Sequence, residues 1–457
     1  MSSIIKDKLF YKSLKQIIFY INEYGIKKKN YTFSHQGDTL EFIKNVHHGF
    51  YLAQKDIIFL MQKVLTEKKR IKKLIIEANK VHDKDLKKEY DKHLENIRGK
   101  EYILRSCADS IGWVIMGQEL SAVRRFYKFN EPIDILDSNF ESVNSSMERL
   151  YQEFPLSFPL ICDLTSIFQV GDIILIDYLN QNHKIIEVKD GKENEKIMEL
   201  LHSFSENGCE RYLYFSLDQE NEKFKKQFSR FLKQQREMAL TSNILNNDTG
   251  KEIIKGKERT VNLIEGNTPI CLYDDILSEL LKEVNNKNYS IRCIDECLLV
   301  GVYNNSKILM ESAFDIWARS HEPEFPIWDS RMCFQTPLAK PIYLYNMSIL
   351  DKMAVTTGKK SIKMCLIYDE WIKLLEKEGF VCELLTAKQT NKSISNFNKT
   401  DKPFLYDGRA LQLTYNNFSM LLYDGILARI FTEHVRPTSA AKMLKTLIWD
   451  AKERFES

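Results

Sequence analysis

Between residues 63 and 97, apolar side chains recur at steps of three and four: Ile71, Leu74, Ile75, Ala78 and Val81, then Leu86, Tyr90, Leu94 and Ile97. Lysine and glutamate fill the positions between them, the pattern of one long amphipathic helix or of a helical hairpin. No proline precedes Pro132. Because proline is the strongest helix breaker, residues 1–135 read as a helical domain. A more apolar helix over 105–128, centred on Ile111-Gly112-Trp113-Val114-Ile115-Met116, would carry that domain onto the next.

The texture changes at Pro132. Pro155 and Pro159 bracket a loop, and strand-like runs follow Asp163. Beyond Gly191, helical stripes at Ile197, Leu200, Leu201 and Phe204, and at Phe224, Phe228, Phe231 and Leu232, enclose a strand candidate at 212–215. A central α/β domain over 136–245 follows, then a polar linker across 241–268. A third domain, α+β, covers 260–457, with strands at 297–303, 342–345 and 363–368 and a closing helix at 440–455.

One hairpin carries candidate chemistry. Gly171-Asp172-Ile173-Ile174-Leu175-Ile176-Asp177-Tyr178-Leu179 and Lys184-Ile185-Ile186-Glu187-Val188-Lys189 flank the polar turn Asn180-Gln181-Asn182-His183. That turn sets Leu179 opposite Lys184, and the two-residue period of a strand then directs Asp172, Glu187 and Lys189 to one face. Ile173, Leu175, Ile186 and Val188 occupy the other, ready to pack under a helix. Two carboxylates coordinate a hard divalent cation such as Mg²⁺ through oxygen, and a neighbouring lysine orients or deprotonates water or offsets developing negative charge.

In this grouping the chain resembles the PD-(D/E)XK nuclease superfamily, the restriction-endonuclease-like fold: Gly171-Asp172 precedes Glu187-Val188-Lys189 across the hairpin. The resemblance covers roughly 145–240. It implies Asp172 and Glu187 as ligands of Mg²⁺ or Mn²⁺, Lys189 as the catalytic lysine, and a crossover helix over 193–205. Many members add an acidic residue from a preceding helix, a role that Glu148, Glu153 or Glu119 could fill here. The resemblance implies hydrolysis of DNA phosphodiesters, in the setting of bacterial anti-phage defence or DNA processing, with a defence-system protein or a second copy of the chain as further partners. Two other readings stand beside it: a nuclease-like adaptor without catalysis, and an ordinary charged hairpin.

Charge and cysteine usage narrow this picture. The net charge is only +3 over 457 residues, so a nucleic-acid surface must be a local patch. Lys226, Arg230, Lys233 and Arg236, opposite the phenylalanine stripe, form one candidate for phosphate contact, although the same pattern describes a plain surface helix. The run Lys68-Lys69-Arg70-Ile71-Lys72-Lys73 fits a solvated helix face. The nine cysteines show neither zinc spacing nor a disulfide framework, and no nucleotide-binding glycine motif occurs. With no signal peptide and no membrane-length apolar run, a cytoplasmic protein is expected.

Overall fold

The amphipathic pattern of the first third of the chain is realised chiefly as long helices, α1 (Lys8–Asn22), α2 (Gln36–Lys80) and α3 (Lys84–Ile115). The computed structural model of the protein describes residues 7–28, 36–177, 182–207, 209–254, 257–263, 269–305, 311–321, 327–396 and 403–456. α2 and α3 form the expected hairpin. His82 takes a left-handed conformation at the bend, and the Asp83 side chain caps α3 by accepting from Leu86 N–H at 2.9 Å. Ile71, Ala78, Leu94 and Ile97 are buried, whereas Val81 at the bend is exposed. The lysine-rich run is largely consumed in ion pairs, Lys68 with Glu101, Lys69 with Asp137 and Arg70 with Glu67.

The chain divides into two compact units that part between Ile264 and Glu265. The helical segment and the segment read as a nuclease-like domain lie together in the first of these units, Leu9–Ile264. The cause is polar as well as apolar: buried Gln54 of α2 donates to Pro159 O at 3.1 Å and accepts from Ile161 N–H at 3.0 Å, completing the edge of the sheet beyond.

That sheet follows α4 (Phe140–Glu153). It is an antiparallel meander of β1 (Ser157–Ile161), β2 (Ile173–Asp177) and β3 (Asn182–Ile186), with β2 in the middle. Pro159, expected in a loop, lies within β1. Proline is tolerated there because β1 is an edge strand. Then come α5 (Lys192–Asn207), α6 (Glu210–Asp218) and α7 (Glu222–Asn247).

Residues 212–215 are thus helical instead of forming a strand. Leu213 and Leu217, one turn apart, face the cluster of Ile197, Phe224, Phe228 and Phe231, and this packing overrides the β preference of the intervening aromatics. The expected linker over 241–268 instead holds the end of α7 and a hairpin of β4 (Thr249–Ile254) and β5 (Lys257–Asn262). A buried ion pair, Arg125 Nη1 to Glu252 Oε2 at 2.7 Å, anchors that hairpin.

The second unit mixes helix and strand, as expected for 260–457. After α8 (Asp274–Asn286), strands β6 (Tyr289–Ile294), β7 (Leu298–Asn304), β8 (Ile327–Asp329) and β9 (Lys360–Leu366) form an antiparallel sheet in the order β6-β7-β9-β8. α9 (Glu311–His321) packs Phe314 and Ala318 against Tyr303 and Cys365 of that sheet. Residues Ile342–Leu344 form a 3-10 turn with Ile342 and Tyr343 buried, not the strand expected there. The closing helix is α10 (Pro437–Glu456). Among the described residues, no helix is long and apolar enough to cross a membrane.

Candidate functional site

β2 is buried over Ile173, Ile174, Leu175 and Ile176, so the backbone that delivers Asp172 is held on both faces. Gly171 precedes it with φ +76°, and a Cβ there would meet Ile185 Cγ2 at 2.4 Å; conformation and space both require glycine. Asp172 N–H donates to Ile186 O and its carbonyl accepts from Cys162 N–H, each at 2.9 Å. Its Oδ2 accepts from Val188 N–H at 2.6 Å, which draws the carboxyl over the end of β3.

The hairpin register differs from the expected one. Asp177 pairs with Asn182 instead of Ile186, and Ile173 pairs with Ile186. Asn182 and His183 therefore belong to β3, while Asn180 and Gln181 lie outside the described residues. The extension has a cause: His183 N–H donates to Asn246 Oδ1 at 2.9 Å, and its carbonyl accepts from Ser242 Oγ at 3.1 Å, so the end of α7 satisfies the free edge of β3. Because the shift is an even number of residues, strand parity is retained.

Asp172, Glu187 and Lys189 come together. Lys189 Nζ donates to Glu187 Oε1 at 2.5 Å and to Gln234 Oε1 of α7 at 3.0 Å, and it stands 5.5 Å from the Phe231 ring centroid. Burial, and then the charge of Glu187, push the Asp172 carboxyl up to about 7. Asp163 adds to this, while the Val188 N–H and Lys189 oppose it.

Asp163 is the acidic neighbour that sequence reasoning missed. It lies in the 3-10 turn Cys162–Leu164 after β1, and its carboxyl is raised by burial and by Glu187 against the nearby Ser138 hydroxyl and the charge of Arg105. Arg105, 2% exposed, donates to the carbonyls of Asp163, Thr165 and Ile133 and so fixes this turn. The earlier acidic candidates are engaged otherwise or lie elsewhere along the chain. Glu148 accepts from Tyr51 Oη at 2.6 Å and Lys55 Nζ at 2.9 Å, Glu153 stands 4.0 Å from Arg149, and Glu119 precedes the short helix Leu120–Val123.

The donor chemistry fits a hard divalent cation. A carboxyl whose proton affinity is raised by burial and by a second carboxylate gains most from a positive ion beside it, and oxygen is the ligand Mg²⁺ prefers. Among the described residues, no three His, Cys, Asp or Glu side chains group closely enough to hold a metal. A cation here would keep several waters, the usual habit of Mg²⁺.

The basic residues of α7 divide. At 100° per residue, Arg230, one turn before Gln234, lies about 40° from it, whereas Lys226, two turns before, has drifted about 80° towards the flank; both are exposed. Lys233 is turned to the flank, and Arg236 projects from the opposite side of the helix, near enough to Glu258 of β5 to lower that carboxyl. One of the four basic positions, Arg230, thus adjoins the Lys189 contact, with Lys226 and Lys233 on the flank. His47, by contrast, is buried beside Phe50 and Phe158, and His48 pairs with Tyr151 Oη at 2.8 Å, both structural settings.

Comparison of the chain with family models, with curated proteins and with solved structures finds no match.

Proposed function

We propose that this protein is a divalent-metal-dependent nuclease that hydrolyses DNA phosphodiesters at Asp172, Glu187 and Lys189. The observation that carries this reading is one arrangement. A carboxyl raised to about 7 by burial and a second carboxylate stands beside a lysine held by Glu187 and Gln234. Perturbed acids grouped with a fixed cation in a cleft are the usual mark of a functional centre.

In this reading Asp172 and Glu187 would hold the cation, which when bound would supply Lewis acidity and offset charge on the phosphoryl oxygens. Lys189 orients the attacking water and stabilises negative charge as the water oxygen bonds to phosphorus and the P–O bond to the leaving oxygen breaks. The attacking water gives up a proton to solvent, and the leaving oxygen takes one up from solvent. Gln234 and Phe231 restrict the lysine to one position, and Arg230 offers a phosphate contact on the adjoining stripe of α7, with Lys226 on its flank. A role in bacterial defence or DNA processing, with a protein partner or a second copy of the chain, is part of the same proposal.

The test is incubation of purified protein with supercoiled plasmid and with single-stranded DNA in Mg²⁺ or Mn²⁺, beside chelator controls. Cleavage that requires metal and is lost in both Asp172→Ala and Lys189→Ala supports the assignment. Cleavage indifferent to both substitutions refutes it. DNA binding without cleavage favours a nuclease-like adaptor.

A further inference from the structure

A cleft of about 570 Å³ opens against the 186–190 segment, and its far wall is α4. Ser142, Ser145, Ser146 and Arg149 line it, within an arc of about 100° on one side of that helix. The other faces of α4 are committed: Val143 and Met147 are buried, and Glu148 and Tyr151 engage Tyr51 and His48 of α2. The hydroxyl-and-guanidinium side is the one left to the cleft.

The charges lining this cleft are uneven. Glu141, Glu187 and Asp190 stand against Arg149 and Lys189. Lys189 is committed to Glu187 and Gln234, Ser142 to Asp190, and the Ser145 hydroxyl to Glu141 O at 2.9 Å, whereas the side chain of Arg149 is 70% exposed and only loosely paired, 4.0 Å from Glu153. An anionic ligand entering here meets one cation on the α4 wall, and that cation carries the planar donor fork suited to phosphate.

We propose that Arg149, with the Ser146 hydroxyl, binds the phosphate adjacent to the scissile one, so that the nucleic-acid backbone crosses the cleft between α4 and the Lys189 side. This rests on the nuclease reading for which phosphate is scissile, but not for the contact itself. Arg149 is a positioning residue in this account.

The test is fluorescence anisotropy of a short labelled DNA, single-stranded and duplex, with the full-length protein in Ca²⁺ at several salt concentrations. Wild type is compared with Arg149→Gln, Arg149→Lys and the exposed control Arg98→Gln. We expect Arg149→Gln to weaken binding about tenfold and to reduce the slope of log affinity against log salt by about one. Arg149→Lys should restore part of the affinity, and Arg98→Gln should behave as wild type. In Mg²⁺, Arg149→Gln should raise KM and leave kcat within about twofold.

Equal binding by wild type and Arg149→Gln overturns the proposal and leaves the nuclease reading standing if wild type cleaves. Equal losses in Arg149→Gln and Arg98→Gln overturn it too, because they show a general charge effect. Absence of any DNA binding by wild type also overturns it. Arg149-dependent binding without metal-dependent cleavage upholds the phosphate contact and refutes the hydrolytic reading.

Discussion

The two units each place acids beside lysine on an antiparallel sheet, with opposite electrostatic results. In the second unit Asp329 of β8 pairs across the ladder with Lys363 of β9. Arg331 grips Asp329 through Nε and Nη2, at 3.0 and 2.6 Å, and Lys363 Nζ reaches Asp315 at 3.0 Å and Asp329 at 3.5 Å. Burial alone would push Asp329 up, yet its hydrogen bonds and charge pairing with Arg331, helped by Lys363, hold it below the ordinary carboxyl value. Two acids meet two bases and the cluster is closed. Around Asp172, burial and two further carboxyls, Glu187 and Asp163, raise the carboxyl, and Lys189 is the one cation that joins the Val188 N–H in opposing them, so the carboxyl rises. A balanced cluster has a structural role; an unbalanced one is suited to receive a cation.

The largest predicted effect comes from unbalancing the closed cluster. Lys363→Met strips the shared cation from two acids whose partner is only 10% exposed, and should destabilise the protein by about 3 kcal/mol in denaturant unfolding. A loss under about 1 kcal/mol would mean that Arg331 alone suffices and that the contrast is weaker than drawn.

Neutralising the open cluster should act in the other direction. With its carboxyl near 7 against an ordinary 3.8, folded wild type holds a proton that the unfolded chain has released between those values, and its stability falls as pH rises through that window. Asp172→Asn removes this loss. It should be more stable than wild type by about 2 kcal/mol at pH 8 without metal, with the difference vanishing near pH 4. Urea midpoints at the two pH values decide it, and a variant less stable than wild type at pH 8 would contradict the account.

A smaller effect is expected from Gln234→Ala. Loss of the bond to Lys189 should lower kcat about tenfold while KM is unchanged and stability shifts by no more than about 0.5 kcal/mol. Equal changes in kcat and stability would make Gln234 merely structural.

Much of this was legible in the chain. The helical hairpin, strands β2 and β3, α7 and the closing helix follow from periodicity, because each buries one stripe or face. The convergence of Asp172, Glu187 and Lys189 was readable because parity survives an even register shift, although the register itself depended on Asn246 and Ser242 pairing with His183 from 63 and 59 residues away. Asp163 and Gln234 were not readable, since Asp163 sits in a turn fixed by Arg105 from a distant helix and Gln234 looks like any polar surface residue. Pro159 misled because only tertiary placement reveals that its strand is an edge.

The central claim, that the unbalanced cluster receives a divalent cation, is tested most directly by calorimetric titration of Mn²⁺ into wild type and Asp172→Asn at pH 6 and pH 8. The account predicts binding by wild type that tightens across this range, with proton release near pH 7, and its loss in Asp172→Asn. Mn²⁺ binding that is pH-independent, or that survives the substitution undiminished, would contradict it.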